Sequence, residues 1–131
     1  MPHLILQHSA NLAGAVRSLD LVARVHEAAL ETGVFPLGGT RTRALCCDEA
    51  SVADRDPENG FIDLEVRIGR GRDTETKKRV GEAIFSVLVD ALGSSERGPH
   101  TALSLEIREI DPELAWRHNP IHERVKERQQ R

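Results

Sequence analysis

Two stretches of the chain alternate strictly between apolar and polar residues. In FIDLEVRI, residues 61–68, one side of the strand carries Asp63, Glu65 and Arg67, and the other side carries Ile62, Leu64, Val66 and Ile68. TALSLEIREI, residues 101–110, repeats this alternation. A period of two is typical of a strand that buries one face, so both stretches are predicted strands. Two further predicted strands are less regular and cover residues 3–8 and 40–47.

Two other stretches repeat apolar residues at the spacing of an α-helix. In residues 74–93 the apolar stripe consists of Val80, Ile84, Val87, Leu88 and Ala91. In residues 18–33 it consists of Leu21, Val22, Val25, Ala28 and Ala29. Asp73 or Thr74 can cap the start of the longer helix, and Ser18 can cap the shorter one. The predicted helix ends are at Gly93 and Gly33.

The order of these elements predicts a fold of the α/β (α+β) class. Strand, helix and strand occupy residues 2–47, and the same order returns in residues 61–110. We therefore predict a duplicated β-α-β unit, in which right-handed crossovers place two helices on one face of a four-stranded sheet. The other face would then be buried against copies of the same subunit. One domain is expected over residues 1–131, with residues 111–131 as a polar C-terminal segment and a short helix after Pro120.

Composition narrows the class of protein. The chain has 131 residues, of which 30% are charged and 39% hydrophobic, and its net charge is −3. This balance is typical of a soluble globular protein and gives no general attraction to nucleic acid or membrane surfaces. No apolar run is long enough to span a bilayer, and the first residues do not resemble a signal peptide. Cys46 and Cys47 are adjacent, so they suggest two free, buried or half-buried thiols in a cytoplasmic protein.

The histidines and arginines are the candidates for chemistry. His118 and His122 are separated by Pro120, so no convincing metal site is predicted. RIGRGRDT, residues 67–74, joins a strand to a helix and has three possible roles. It could cradle a phosphate, form a solvated turn, or bind a carboxylate through an arginine fork. A second arginine pair, Arg41 and Arg43, shares one side of a strand and could be either functional or simply exposed.

The amino terminus offers a different chemical group. Pro2 follows the start methionine, and removal of Met1 would leave the proline ring nitrogen as a free secondary amine. A neutral amine can accept a proton when its pKa lies near the working pH. Burial and nearby arginines both lower the pKa of an amine. A terminal proline among arginines therefore suits a proton-shuttling isomerase that acts on a carboxylated enol.

Four stretches together give the chain a recognisable resemblance. They are MPH at the start, TGVFPLGGTRTR (32–43), IGRGRDTE (68–75) and LSLEIREIDPEL (103–114). In their order and spacing they resemble the 5-carboxymethyl-2-hydroxymuconate isomerase family, within the tautomerase superfamily that uses an amino-terminal proline. The resemblance implies a homotrimer of duplicated β-α-β subunits, no cofactor, no metal and a small carboxylated dienol as substrate.

The resemblance also implies roles for individual residues. Pro2 would be the catalytic base and acid, and Arg72 would hold the C1 carboxylate and stabilise charge on the neighbouring oxygen. Arg41 would bind a more distant carboxylate. The implied reaction is a proton shift in homoprotocatechuate (4-hydroxyphenylacetate) degradation, and a retained Met1 would block it. Two alternatives stay open, namely another proline-dependent tautomerase, decarboxylase or dehalogenase, and a non-catalytic trimeric binding module.

Overall fold

The computed structural model of the protein describes residues 1–130, so Arg131, the last residue of the predicted C-terminal segment, lies outside the described residues. Four strands form one sheet, accompanied by four α-helices. The strands are β1 (His3–Ser9), β2 (Arg41–Cys47), β3 (Gly60–Gly69) and β4 (Thr101–Ile110). The helices are α1 (Ala13–Ser18), α2 (Leu21–Glu31), α3 (Thr74–Gly93) and α4 (Pro120–Gln129). The mixed α+β class and the four predicted strands are confirmed.

The strand order is β2-β1-β3-β4. β1 is parallel to β2, and β3 is parallel to β4, whereas the central pair β1 and β3 is antiparallel. The starts of β1 and β2 and the ends of β3 and β4 therefore lie at the same end of the sheet. The functional residues considered below lie at this end of the sheet.

One face of the sheet forms the core. Leu4 pairs with Val66 and Leu6 with Leu64, and all four are fully buried. They pack with the apolar stripes of α2 and α3, as the alternation and the helical spacing predict. Burial of each such side chain contributes about 1.5–3 kcal/mol.

The opposite face of the sheet is charged. Arg43, Glu65 and Glu106 lie in one row across the strands, with Asp63 nearby in the next row. Asp63 and Glu106 are exposed in the single subunit, and the predicted burial of this face against copies of the subunit stays a prediction.

The start of α3 matches its predicted cap. The Asp73 carboxylate accepts a hydrogen bond of 2.7 Å from the backbone N–H of Thr76. This bond satisfies one of the N–H groups that a helix leaves unpaired in its first turn. Glu75 adds a second negative charge in that turn. Because a carboxylate already occupies this helix terminus, the structure argues against a phosphate-binding loop at residues 67–74.

The helical region before β2 differs from the sequence prediction in two respects. Ser18 is not a cap, because it is the last residue of a separate helix, α1, which the pattern did not reveal. The chain turns between α1 and α2 at Asp20, which has a left-handed backbone with φ of 54°. The sequence prediction missed α1 because this helix has only six residues, which are too few to show an apolar stripe. Gly33 follows α2 with a positive φ of 73°, as predicted for a helix end.

The two cysteines are free, as predicted, but their exposure differs from the prediction. Cys47 is half-buried, whereas Cys46 is exposed. Cys46 lies near the end of β2, which is an edge strand of the sheet. Its Sγ lies 3.8 Å from a carboxylate oxygen of Asp48. No helix among residues 1–130 is both long and apolar enough to cross a bilayer.

The C-terminal segment is anchored to the turn before β2. Asn119 caps α4 by accepting a hydrogen bond from the backbone N–H of His122, and Pro120 is the first residue of the helix. The Asn119 side chain also donates to the Gly38 carbonyl at 2.9 Å. Gly38 lies so close to α4 that an added Cβ would be 2.5 Å from the Cα of His122. The short helix predicted after Pro120 is confirmed, and this glycine permits its close packing.

We expect Gly38→Ala to loosen α4 from the turn, because two backbones cannot approach this closely around a methyl group. The expected loss of stability is about 1–3 kcal/mol. Thermal unfolding measures the loss, and hydrogen exchange should show faster exchange of the α4 amides. Gly14→Ala is the matched control, because no atom lies within 4 Å of its added Cβ. It should leave stability unchanged or raise it by up to about 1 kcal/mol. Unchanged α4 exchange in Gly38→Ala would contradict this account of the packing.

Candidate active site

The amino terminus lies inside a cleft at the end of the sheet where β1 and β2 start and β3 and β4 end. Pro2 is buried, and its carbonyl accepts a hydrogen bond of 3.1 Å from the backbone N–H of Arg41. Gly39 lies alongside, since an added Cβ there would be 3.9 Å from atoms of both Met1 and Pro2. The glycine turn and the first bond to β2 therefore hold the terminus in place.

The cleft has a volume of about 590 Å³ and a strongly basic lining. Arg41, Arg67 and Arg117 contribute guanidinium groups, and His3 contributes an imidazole. Within residues 1–130, no aspartate or glutamate lines it. Pro112, Leu114 and Trp116 supply an apolar wall on one side. A basic cleft of this size suits a small molecule that carries several negative charges.

The floor of the cleft is a row of basic residues across the four strands. Arg41 pairs with His3, His3 with Arg67, and Arg67 with Arg108. Arg108 is neutralised by Glu106 at 2.6 Å. The Nε atom of Arg67 is buried and has no hydrogen-bond partner within residues 1–130. Like charges in adjacent strands destabilise one another, and a bound anion would relieve this repulsion.

His3 is neutral in this environment. Burial and the charges of Arg67, Arg43 and Arg41 lower its pKa from 6.5 to about 4. Its Nδ1 lies 3.2 Å from a guanidinium nitrogen of Arg43, so it accepts this hydrogen bond and the ring proton is assigned to Nε2. The structure thus places Arg43, whose role the sequence left open, beside His3.

The terminal amine is surrounded by arginines. Burial lowers the pKa of the Met1 amine below its ordinary value of 8.0, and the charges of Arg117, Arg72 and Arg41 lower it further. Both effects favour the neutral form of the amine. The structure therefore brings Arg41 and Arg72 within electrostatic reach of the terminus, and it adds Arg117.

Arg41 and Arg72 are held in different ways. Arg41 donates a hydrogen bond of 3.1 Å to the Met1 sulfur and lines the cleft. Arg72 does not line it, and donates instead to the carbonyls of Gly69 at 3.2 Å and Val34 at 3.4 Å. Its guanidinium carbon also lies 5.3 Å from the ring centre of Phe35. Arg72 therefore has a fixed position behind the terminus.

Sequence reasoning missed the contribution of the C-terminal segment. Trp116, Arg117 and His118 line the cleft, and the Asn119 side chain lies 3.6 Å from the Met1 sulfur. The asparagine before Pro120 is a recognisable helix start, but nothing in the sequence places it beside the terminus. Within residues 1–130, no group of three or more His, Cys, Asp or Glu side chains could hold a metal ion.

Comparison of the sequence with known proteins finds a family and a curated relative whose descriptions agree. The family model "5-carboxymethyl-2-hydroxymuconate isomerase" matches residues 2–125. A curated relative from Escherichia coli, 5-carboxymethyl-2-hydroxymuconate Delta-isomerase, is 31% identical over 122 residues. This match covers 93% of this chain and 97% of the relative.

Solved structures show the same likeness. A 5-carboxymethyl-2-hydroxymuconate isomerase from Deinococcus radiodurans R1 has 36% identity and a TM-score of 0.85, covering 95% of this chain and 93% of that one. A fused 4-OT described as a symmetric trimer shares the fold at 17% identity and a TM-score of 0.63, covering 88% and 93%. With its fold, its basic cleft and these relatives established, the chain belongs to the 5-carboxymethyl-2-hydroxymuconate isomerase family.

Proposed function

We propose that the protein is a 5-carboxymethyl-2-hydroxymuconate Delta-isomerase of homoprotocatechuate degradation. The observation that carries this proposal is a terminal amine held in a cleft that arginines line and carboxylates do not. The name of the Escherichia coli relative supports the same reaction. The substrate bears three carboxylates, so a cleft rich in guanidinium groups complements its charge.

In the proposed mechanism, Pro2 becomes the terminus when Met1 is removed. Its ring nitrogen lies one residue from the Met1 amine, among the same arginines, so its neutral form is favoured in the same way. The nitrogen takes the proton from the 2-hydroxyl group and returns it to C5. The O–H bond breaks and a C5–H bond forms, while the double bonds move to give a C2 carbonyl and a C3–C4 alkene.

The contacts of the Met1 side chain support this processing step. Its sulfur accepts hydrogen bonds from Arg41 at 3.1 Å and from Asn119 at 3.6 Å. Removal of Met1 would free both donors and the space that its side chain takes in the cleft. These two donors then become available to oxygen atoms of the substrate.

We assign different roles to Arg72 and Arg41. Arg72 lies behind the terminus and does not line the cleft while Met1 is present, so its role requires that removal of Met1 open the cleft to it. It then binds the C1 carboxylate and stabilises negative charge on the neighbouring oxygen. Preorganised donors of this kind contribute about 3 kcal/mol each to catalysis. Arg41, on the cleft floor, binds a carboxylate farther from the hydroxyl group.

We further propose that the subunit is a duplicated β-α-β unit and assembles as a homotrimer. Each half has a parallel strand pair, and the halves meet at the antiparallel β1–β3 pair. β4 is an edge strand, and a groove lies between it and α3. Phe85, Leu105 and Ile107 give this groove an apolar surface, and charged residues also line it, namely Lys77, Lys78, Glu82, Glu106 and Glu109. Such an edge is normally covered. The trimeric 4-OT of the same fold supports this assembly.

The free proline nitrogen should be essential to turnover. Protein whose mass shows Met1 to be absent should isomerise the carboxymethyl substrate. A Gly-Ser extension before Pro2 converts the amine to an amide and should reduce kcat by about 10²–10⁴-fold. The control carries the same extension at the C-terminus and should retain activity. Pro2→Ala keeps an amine of different basicity and should be impaired less than the blocked protein. Normal turnover by the blocked protein would refute the mechanism.

The two arginines should affect different kinetic constants. Arg72→Ala should lower kcat by roughly 100-fold, because it removes a donor from the oxygen whose charge changes. Arg41→Ala should chiefly raise KM. The control is Arg24→Ala, since Arg24 is exposed on α2 and does not line the cleft. Steady-state kinetics on the carboxymethyl substrate makes the comparison. Wild-type kinetics in Arg41→Ala would show that its assigned role is wrong.

Sedimentation should return the mass of three chains at micromolar concentration. Phe85→Glu places a charge in the apolar groove and should dissociate the assembly, because burial of an unpaired carboxylate is costly. Ala83→Glu adds the same charge at an exposed position of α3 that does not line the groove. It should sediment as the wild type does. A stable wild-type monomer would overturn the proposed assembly.

A further inference from the structure

The positive charges around the amine outnumber the carboxylate-binding roles assigned so far. Arg117, Arg72 and Arg41 all act on the terminal amine, and Arg117 has the largest effect of the three. Within residues 1–130, Arg117 forms no ion pair of 4.0 Å or less and no side-chain hydrogen bond. Arg117 is exposed and lines the basic cleft, so its guanidinium group is accessible to an anion that binds there.

The backbone around Arg117 is fixed at both ends. Two residues later, Asn119 binds the Gly38 carbonyl and caps α4. On the other side, the Asp111 carboxylate accepts a hydrogen bond of 3.0 Å from the backbone N–H of Glu113 and lies 3.8 Å from Arg70. The segment that carries Arg117 is therefore held against the cleft.

An apolar surface accompanies this cation. Leu114 and Trp116 line the cleft, yet 72% and 86% of their surfaces are exposed. Large apolar side chains left this exposed at a concave site commonly contact a ligand or a partner. Beside Arg117, they suit the carbon chain of an anionic ligand.

The chemistry of the proposed reaction places two carboxylates near the amine, where Arg41 and Arg117 can bind them. The nitrogen must reach C5 to deliver the proton, so groups attached to C5 lie close to the amine. C5 bears the C6 carboxylate and the CH2 group of the carboxymethyl branch, and the carboxylate carbon of that branch is two bonds from C5. Arg72 is assigned to C1, which leaves Arg41 and Arg117 for the two carboxylates near C5. Arg67 also lines the cleft, where it pairs across the strands with His3 on the cleft floor.

We propose that Arg117 binds the carboxylate of the carboxymethyl branch, and that it determines preference for the branched substrate over plain 2-hydroxymuconate. Arg41 then binds the C6 carboxylate, which both compounds share. This assignment rests on the proposed function, and it extends the binding site to the segment between β4 and α4.

Binding of two stable probes tests this role separately from turnover. Tricarballylate and glutarate share a five-carbon chain, and only tricarballylate carries a branch carboxylate. In calorimetry on protein without Met1, Arg117→Gln should lower tricarballylate affinity by about tenfold or more. Its glutarate affinity should stay within about twofold of wild type, and Arg117→Lys should retain part of the preference. The control Arg124→Gln removes an exposed charge of α4 outside the cleft and should change neither affinity.

Turnover of the two dienols completes the test. Arg117→Gln should lower kcat/KM for the carboxymethyl compound and largely spare plain 2-hydroxymuconate, whereas Arg41→Ala should impair both. Equal losses on both probes, an unchanged preference in Arg117→Gln, or the same loss in Arg124→Gln would overturn the role of Arg117. A wild-type protein that isomerises neither dienol would refute the proposed function, even if Arg117→Gln selectively lost tricarballylate.

Discussion

Three guanidinium groups act on the terminal amine from three separate parts of the chain, and no carboxylate of residues 1–130 lines the cleft beside that amine. Like charges held this close repel one another, so a different part of the structure must hold each arginine in position. β2 carries Arg41, two carbonyls hold Arg72, and the segment anchored by Asn119 carries Arg117. The repulsion is relieved when an anion binds. Burial and the same charges lower the pKa of the amine, so the proposed substrate binding and proton transfer would both depend on one electrostatic arrangement.

The strand directions explain why these parts meet. β1 and β2 start at the end of the sheet where β3 and β4 finish, because the central pair is antiparallel and the outer pairs are parallel. The amino terminus, the glycine turn, the loop after β3 and the C-terminal segment all emerge there. The hydrophobic core under α2 and α3 contains Leu4 and Val66, whereas the neighbouring pair His3 and Arg67 points to the opposite face of the sheet, so the cleft can be basic without a charge being buried in the core.

Local patterns predicted the elements that bury one face. The alternation in residues 61–68 and 101–110 and the apolar stripes of α2 and α3 each reflect a requirement of burial, and they correspond to the observed strands and helices. The family was predicted from motifs and is confirmed by the comparisons. The short helix α1 was missed because six residues show too little periodicity, and Ser18 was misassigned for the same reason. Pro2, Arg41 and Arg72 were proposed from the resemblance, and their roles stay predictions.

By itself, the sequence determined the strands, the two long helices, a cap at Asp73 or Thr74 and the family, because periodicity, capping and motifs are properties of neighbouring residues. Only the tertiary structure decided that Asn119 binds Gly38, 81 residues away, and that Arg117 acts on the amine. It likewise decided that His3 is neutral, since that depends on arginines from β2 and β3. Electrostatic effects arise from distances between charges, and folding alone sets those distances for residues far apart in the chain.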